Sequence, residues 1–338
     1  MKRVSLKDVA KKAGVAPSTV SLVLNGKAKQ RRISDTLAAK IEGVAKAAGY
    51  QPHPVAVHLR TGQSKILGLI VESISGSFFA ALARTIEQEA ERYGYKVLYC
   101  STENNPLKGR ELIQMMLKHQ VDGYLITPAP GMEKDIQQLV QDRKHLVLMD
   151  SYFEHIDTPY VLIDNYKGIY TCMDHLLKKG YRKIGFVTAD LELVQLQQRL
   201  QAYHDACKAY KIPAAQQPVL KIPYNEPTKN ITRHINSFLN RHKTLDAVLF
   251  ATNYLGVAGV ESLTHLGLRV PDDLAVVCFD DHDVFRLYPP GISALQQPIA
   301  DIAKAAISLL MKQLGASKGK IGKRQIILEG KFIQRKST

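Results

Sequence analysis

From residue 65 onward, short aliphatic runs alternate with amphipathic stretches, and this alternation constrains the fold more than any other feature of the chain. The first run, residues 66–71, reads Ile-Leu-Gly-Leu-Ile-Val. Similar runs follow at 96–100, 123–126 and 146–149, separated by helical stretches near 78–93, 107–119 and 132–142. Continuous apolar strands that alternate with helices of about 10 to 15 residues predict an α/β fold with a doubly wound parallel sheet.

The same pattern then begins a second time. Gly180 precedes the strand-like residues 181–187 as Gly94 precedes 95–97, each glycine ending a helix before a strand. Further strands are predicted at 219–222, 247–250 and 275–279. Two α/β lobes explain 338 residues better than one very large sheet, and such lobes usually bind a ligand between them, at the carboxyl ends of the strands. A helix at 298–314 and strand-like sequence at 325–333 follow, so we expect the chain to cross between the lobes again.

Charge is distributed unevenly along the chain. Lys and Arg number 46 against 31 Asp and Glu, which gives a formal net charge of +15. Residues 1–64 carry +9 of this charge and the remaining 274 residues carry +6. A small, strongly basic module indicates a polyanion as its partner. A solvated basic surface that only aids solubility is the alternative, and charge alone does not separate the two.

Several classes of protein are disfavoured by what the sequence lacks. The first apolar run is far shorter than the roughly 20 residues of a membrane span, and residues 2–8 do not form a secretory signal, so we expect a cytoplasmic protein with no membrane contact. The four cysteines are scattered without a CxxC motif, as expected of buried thiols in a reducing compartment. No GxGxxG motif follows a strand, no HExxH or GxSxG motif occurs, and residues 315–320 are one residue short of a P-loop. We therefore predict neither enzymatic activity nor a cofactor.

The acidic run Asp280-Asp281-His282-Asp283 is a candidate metal site. Side chains adjacent at the end of a strand diverge, however, and no cluster of His or Cys accompanies the run. Polar residues at a cleft are therefore favoured over metal ligands, and no metal is predicted.

The basic N-terminal segment has the pattern of three short helices. Ser5 can cap a helix that runs to Ala13, Gly14 supplies a left-handed turn, and a second helix runs through about Leu24. A third helix, capped by Ser34, should run to about Ala48. On the second helix the apolar Val20 and Val23 lie opposite Ser18, Ser21 and Leu22. The pattern fits a helix-turn-helix whose second helix enters the major groove, but by periodicity alone any small three-helix bundle is about as good an interpretation.

Particular residues favour the first interpretation. Residues 6–15 and 19–26 closely resemble the DNA-binding head of the lactose-repressor (LacI/GalR) family. The resemblance continues through 49–52, 59–62, 66–70, 121–123, Arg199, 270–274 and 279–281, and so covers essentially the whole chain. It implies a transcription regulator with a helix-turn-helix head at 1–50, a hinge helix and linker at 51–63, and a core like that of periplasmic binding proteins. Its N-terminal lobe would comprise 64–163 with 295–324, and its C-terminal lobe 164–294 with 325–338.

The resemblance implies that a homodimer binds double-stranded, pseudo-palindromic operator DNA. Family members read bases mainly at the positions of Pro17, Ser18 and Leu22. Leu22 replaces an arginine of many relatives, so it can contact a thymine methyl group but cannot make a bidentate contact with guanine. The hydroxyls of the second helix suit phosphate and groove contacts. The residues predicted to contact DNA in the head are Pro17, Ser18, Thr19, Ser21, Leu22, Asn25, Lys27, Lys29, Arg31 and Arg32.

The last four of these residues lie in a segment between Asn25 and Ser34 that is longer than in common members of the family. We interpret it as an enlarged loop that contacts phosphates. The resemblance also implies that Leu59 of the hinge helix inserts into the minor groove at the centre of the operator, with simple packing against the core as the alternative. His53 and Val57 depart from the Asn and Arg found in many relatives.

In the core, the resemblance implies a cleft that binds a small polar effector, for which we expect a sugar. Arg199, expected at a helix start, can clamp adjacent hydroxyls or a carboxylate, and Asp280 can accept hydrogen bonds from hydroxyls. Asp150 and Asn253 match cleft positions, and Phe78 or Phe79 would stack on the ligand unless both pack in the core. Ser151 stands where many members have Arg. The alternative function is that of a solute-binding protein with the same core, but such a protein would need an export signal and would have no use for a basic head.

Overall fold

The computed structural model describes residues 4–50, 62–317 and 324–338. The chain divides into two compact units, Met1–Ser64 and Lys65–Thr338. Each has its own hydrophobic core. The predicted hinge residue Leu59, together with His53 and Val57, lies outside the described residues.

The first unit contains the three predicted helices, α1 (Leu6–Ala13), α2 (Pro17–Leu24) and α3 (Asp35–Ala47). Ser5 caps α1, since its hydroxyl accepts the N–H of Asp8 at 3.3 Å while the Asp8 carboxylate accepts the N–H of Ser5 at 2.8 Å. Gly14 ends α1 in the left-handed region, at φ 73°, where a residue without Cβ is least strained. The buried residues of this small core are Val9, Ala10, Ala13, Val20, Val23, Ile41 and Ala45. The helix-turn-helix and the Ser34 cap are thus confirmed.

The first sheet of the second unit has the strand order β11-β5-β4-β3-β1-β2, all parallel. Its strands are β1 (Ile66–Val71), β2 (Lys96–Ser101), β3 (Gly123–Ile126), β4 (Leu146–Met149), β5 (Tyr160–Ile163) and β11 (Gln325–Leu328). The helices between them are α4 (Ser77–Glu91), α5 (Pro106–Lys118) and α6 (Glu133–Gln141). The sheet is buried on both faces, as the continuous apolar runs predicted.

The second sheet repeats this order as β12-β10-β9-β8-β6-β7, and only its edge strand β12 is antiparallel. Its strands are β6 (Ile184–Asp190), β7 (Val219–Pro223), β8 (Ala247–Phe250), β9 (Ala275–Phe279), β10 (Ser293–Gln296) and β12 (Lys331–Ile333). Its helices are α7 (Asn165–Lys178), α8 (Val194–Ala209), α9 (Thr228–Arg241), α10 (Asn253–Leu266) and the short α11 (Asp283–Leu287). The predicted pair of doubly wound sheets is therefore confirmed.

The chain passes between the lobes three times, after β5, after β10 and between β11 and β12. After the second passage, α12 (Ile299–Gln313) packs against the core of the first lobe through residues such as Ile302, Ala306 and Leu310. None of the helices in the described part of the chain has the length and apolar character of a membrane span.

Two predicted lobe boundaries are wrong. Residues 325–328 were assigned to the C-terminal lobe, but Gln325–Leu328 pairs in parallel with Tyr160–Ile163 of the first sheet. Residues 295–296 were assigned to the N-terminal lobe, but Leu295 pairs with Phe279 of the second sheet. The first error arises because residues 325–333 supply an edge strand to each of the two sheets, and the second because β10 pairs with β9 before the chain returns to the first lobe at Ile299.

Candidate functional site

One face of α2 is available for contact with another molecule. Val20 and Val23 are buried against the other helices of the head, while Pro17, Ser18 and Asn25 are exposed and Thr19, Ser21 and Leu22 are half-buried. The Asn25 amide donates to the Ser21 carbonyl and, at 3.3 Å, to the Ser21 hydroxyl, so it lies over the last turn of α2. The predicted DNA-contacting side chains of this helix therefore share the face opposite the head's core.

The longer segment after α2 folds as a 3-10 turn, Lys29–Arg31. Ala28 and Ile33 pack against the core of the head and anchor the segment at both ends. The four cations Lys27, Lys29, Arg31 and Arg32 are all exposed. Packing at the ends and exposed charge between them is the arrangement expected of a loop that meets a polyanion.

In the core, a cavity of about 360 Å³ lies between the two lobes, at the carboxyl ends of their strands. All six residues predicted to contact an effector line it: Phe78, Phe79, Asp150, Arg199, Asn253 and Asp280. Its volume lies within the roughly 300–1,000 Å³ of ordinary small-molecule sites. The second lobe supplies most of the remaining lining, including Gln195, Tyr224, Thr252 and Tyr254.

Arg199 is the charged centre of this cavity. The side chain is 3% exposed and lies in the second turn of α8, not at the helix start that the sequence suggested. Its Nε donates to the Asn165 side-chain oxygen at 2.8 Å, and one Nη donates to the Ala251 carbonyl at 2.7 Å. The guanidinium carbon lies 3.5 Å from the centroid of the Phe279 ring. Burial lowers the pKa of Arg199, and the carboxylates of Asp280 and Asp150 oppose that shift.

Asp150 and Asp280 occupy equivalent places in the two lobes. Asp150 follows β4 and Asp280 follows β9, and both adopt left-handed backbone angles, with φ of 62° and 65°. Gln195 donates to Asp150 at 3.2 Å, and Gln297 donates to Asp280 at 2.6 Å. Burial raises the pKa of Asp150 to about 6, with Asp280 adding to the shift and Arg199 opposing it. Burial also raises the pKa of Asp280, while Arg199 and Gln297 act in the opposite direction.

Sequence reasoning missed Glu72, which lines the same cavity. It directly follows β1, so the rule that ligands bind at strand ends could have found it. Burial, assisted by the charge of Asp150, raises the pKa of Glu72 to about 7, while a hydrogen bond with the Tyr224 hydroxyl acts in the opposite direction. The cavity therefore contains a third partly buried carboxyl group besides the two predicted aspartates.

Phe79 and Phe78 differ in their surroundings. Phe79 is 8% exposed and belongs to the core of the first lobe, as the packing alternative expected. Phe78 is only partly buried and meets Phe79 edge to face, with ring centroids 5.0 Å apart. Of the two rings, Phe78 is therefore the better placed to contact a ligand.

Besides the bond between Tyr224 and Glu72, further hydrogen bonds cross from the second lobe to the first around the cavity. Gln195 donates to Asp150 at 3.2 Å, Asn253 to the Ser77 hydroxyl at 3.3 Å, and Asn225 to the Glu103 carbonyl at 3.5 Å. Long polar contacts of this kind are individually weak. Closing or opening the cleft would therefore exchange only a few modest interactions.

The acidic run after β9 does not converge on one point. Asp281 accepts two hydrogen bonds from Arg335 at 2.7 and 2.8 Å, His282 caps α11 by accepting the N–H of Val284 at 3.0 Å, and Asp283 pairs with Arg286. Within the described ranges, no three His, Cys, Asp or Glu residues come together as a possible metal site.

Two family comparisons cover the two units. Residues 5–53 match the family described as bacterial regulatory proteins, lacI family, and residues 173–338 match a periplasmic binding protein-like domain. Among named relatives, the HTH-type transcriptional repressor PurR of Mannheimia succiniciproducens is 28% identical over 99% of this chain and 98% of its own length. The ribose operon repressor of Haemophilus influenzae is 29% identical over 92% of both chains. A crystal structure of the lac repressor dimer, bound to operator and an anti-inducer, has a TM-score of 0.85 and 21% identity over 99% of both chains.

A helix-turn-helix head joined to a two-lobed, periplasmic-binding-protein-like core defines the class, that of a DNA-binding transcription regulator. Within this class, residues 5–53 match the lacI family of bacterial regulatory proteins, and relatives 28% and 29% identical over most of the chain are named as repressors. The resemblance predicted from the head and core residues is thus confirmed.

The raised pKa of Glu72 generates a prediction about stability. Between pH 4.5 and about 7 the folded state binds a proton that the unfolded state releases, so the carboxyl destabilises the fold increasingly across this interval. Glu72→Gln should therefore unfold at the same urea concentration as wild type near pH 4.5 and at a higher one at pH 8, with a gain of at most about 3 kcal/mol. Glu111→Gln, an exposed acid on α5 of the same lobe, is the control. A gain for Glu72→Gln that is equal at both pH values would show that Glu72 ionises normally.

Proposed function

We propose that the protein binds a pseudo-palindromic operator as a homodimer and that a small polar effector, a sugar, controls this binding from the interlobe cavity. One observation carries the effector half of the proposal: six residues selected from sequence, from five separate segments of the core, line a single cavity. The DNA half rests on the exposed polar face of α2 and the basic loop beside it.

The relatives support the finer parts of the proposal. The lac repressor in the similar structure is a dimer on its operator, and one relative is named for a ribose operon. In the proposed mechanism, ligand draws the two lobes together around Arg199 and Asp280, and this closure changes the dimer interface and the folding of the hinge segment. The two sites are then coupled through an element with two states.

Titration of labelled duplex DNA with and without a panel of sugars tests this function. Operator binding that changes with one of the sugars supports both halves. If the protein selects no specific duplex from a pool of random DNA sequences, the DNA half of the proposal is wrong. If its operator affinity stays the same in the presence of every ligand that stabilises the core, the effector half is wrong.

The basic loop should contribute to DNA affinity through phosphates. The logarithm of the affinity should fall with the logarithm of salt concentration by about 0.9 for each phosphate neutralised. Replacing Lys27, Lys29, Arg31 and Arg32 with Gln should make this slope shallower by up to about 3.6, as measured by fluorescence anisotropy between 50 and about 200 mM salt. A matched variant with Gln at the exposed Lys208, Lys211, Lys221 and Lys229 of the core should keep the wild-type slope. A wild-type slope in the loop variant would show that the loop stays off the DNA.

The cleft residues should be needed for the effector response but not for operator binding. Arg199→Ala and Asp280→Asn each leave polar groups of the ligand unpaired, which costs about 1–3 kcal/mol, or roughly 5-fold to 150-fold in effector concentration. Asp283→Asn is the matched control, because Asp283 pairs with Arg286 on the surface. Operator affinity without effector reports folding of the variants. A wild-type effector response in both cleft variants would refute the assignment.

Leu59, outside the described residues, carries the last prediction for this function. If it inserts into the minor groove, Leu59→Ala removes the apolar group that offsets a few kcal/mol of base unstacking. Specific affinity and the DNA bend angle should then fall together, while weak, salt-sensitive non-specific binding persists. A packing role predicts instead a lower melting temperature and an unchanged bend. Bend angle by fluorescence energy transfer and melting of the free protein, measured on the same variant, separate the two roles.

A further inference from the structure

The charges around the cavity are strongly unbalanced. Five carboxyl groups line it: Glu72, Glu103, Asp150, Glu226 and Asp280. Within the part of the chain that the structure describes, Arg199 is the single cationic side chain of the lining. A ligand with a carboxylate or phosphate would therefore meet several anionic groups and one cation.

That one cation is already engaged. Arg199 donates to Asn165 and to the Ala251 carbonyl, and its guanidinium lies on the Phe279 ring. Its charge also interacts with Asp280 and Asp150. A ligand anion would have to compete with these carboxylates for the guanidinium, which makes an anionic effector unfavourable.

Around Glu72, the one cation of the described lining is Arg199, whose charge interacts with Glu72 after Asp280 and Asp150. Glu72 is partly buried near Asp150, Glu103 and the hydroxyl of Tyr224, and its charge also acts on Tyr254. Carboxylates and aromatic rings side by side are the usual surroundings of a bound ammonium group, which gains from both the negative charge and the ring faces.

A separate observation concerns Gln195, a lining residue beside Asp150 whose side-chain oxygen lacks a hydrogen-bond donor in the described part of the chain. Gln195 is 4% exposed and its amide N–H₂ donates to Asp150, which directs its side-chain oxygen elsewhere. Among the described residues that oxygen is a buried acceptor without a partner. Leaving a buried acceptor unpaired is unfavourable, so a ligand donor at this place would be favoured. An ammonium group has three donors and no acceptor.

We propose, on the basis of the function proposed above, that the effector is a small polyol bearing a protonated amine. Its ammonium group binds between Glu72, Asp150 and the Gln195 side-chain oxygen. The hydroxyls of the polyol face Arg199 and Asp280. Phosphorylated and carboxylated sugars are excluded. Glu72 is then the residue that distinguishes the amine from its uncharged parent.

Matched sets of hexoses test the charge class directly. Glucose, galactose and mannose would each be compared with the corresponding 2-amino sugar and 6-phosphate, by calorimetry on the full chain. In at least one set the amino sugar should bind about tenfold or more tightly than its parent, and the phosphate should bind more weakly than the parent. In Glu72→Gln the ratio of amine to parent should fall to near one, whereas the control Glu111→Gln should keep it.

Every outcome decides the inference. A panel in which no amino sugar binds more tightly than its parent overturns it, as does a set in which the phosphate binds most tightly, or an amine preference that survives Glu72→Gln. Operator titration of the same wild-type protein keeps this result separate from the proposed function. If a neutral or phosphorylated sugar shifts operator affinity, effector control stands and only the charge class is wrong.

Discussion

Burial of the Arg199 guanidinium is the interaction on which the arrangement of the core depends. A buried cation is tolerated only when hydrogen-bond acceptors and opposite charges surround it. Here the acceptors come from Asn165, at the first passage between the lobes, and from Ala251, just after β8. The opposite charges come from Asp150 in one lobe and Asp280 in the other. The Arg199 side chain thus interacts with groups of both lobes and of the first connection between them.

The repeated strand order explains why the two aspartates meet. Asp150 and Asp280 each follow the fourth strand of their half, and both turn out of the strand through a left-handed residue, a conformation that Asp tolerates better than most side chains. Gln297, on the second passage between the lobes, holds Asp280. Two of the three connecting segments therefore contact charged groups of the cavity, so movement of the lobes and occupancy of the cavity cannot be independent.

Much of this could be predicted from sequence. Helical periodicity and the cap residues located the three helices of the head, and apolar runs located most strands. The short strands Tyr160–Ile163 and Ser293–Gln296 were missed, and Gln325–Leu328 was placed in the wrong lobe, because four residues carry little periodicity and none of the rules links a late strand to a distant sheet. In the cavity, Arg199, Asp150 and Asp280 followed from the resemblance. Glu72 and Gln195 did not, because their roles arise from burial and from contacts between lobes that no local pattern encodes.

The position of the last two strands has a consequence for synthesis of the chain on the ribosome. Every core residue that the structure describes in the head lies within its first 50 residues, so the head can fold as soon as these emerge. Neither lobe, in contrast, can complete its sheet before residues 325–333 have been synthesised. Throughout most of translation the nascent protein therefore carries a finished DNA-binding module followed by two sheets with open edges. Ability to bind nucleic acid precedes the ability to respond to a signal, and a stalled chain would have the first without the second.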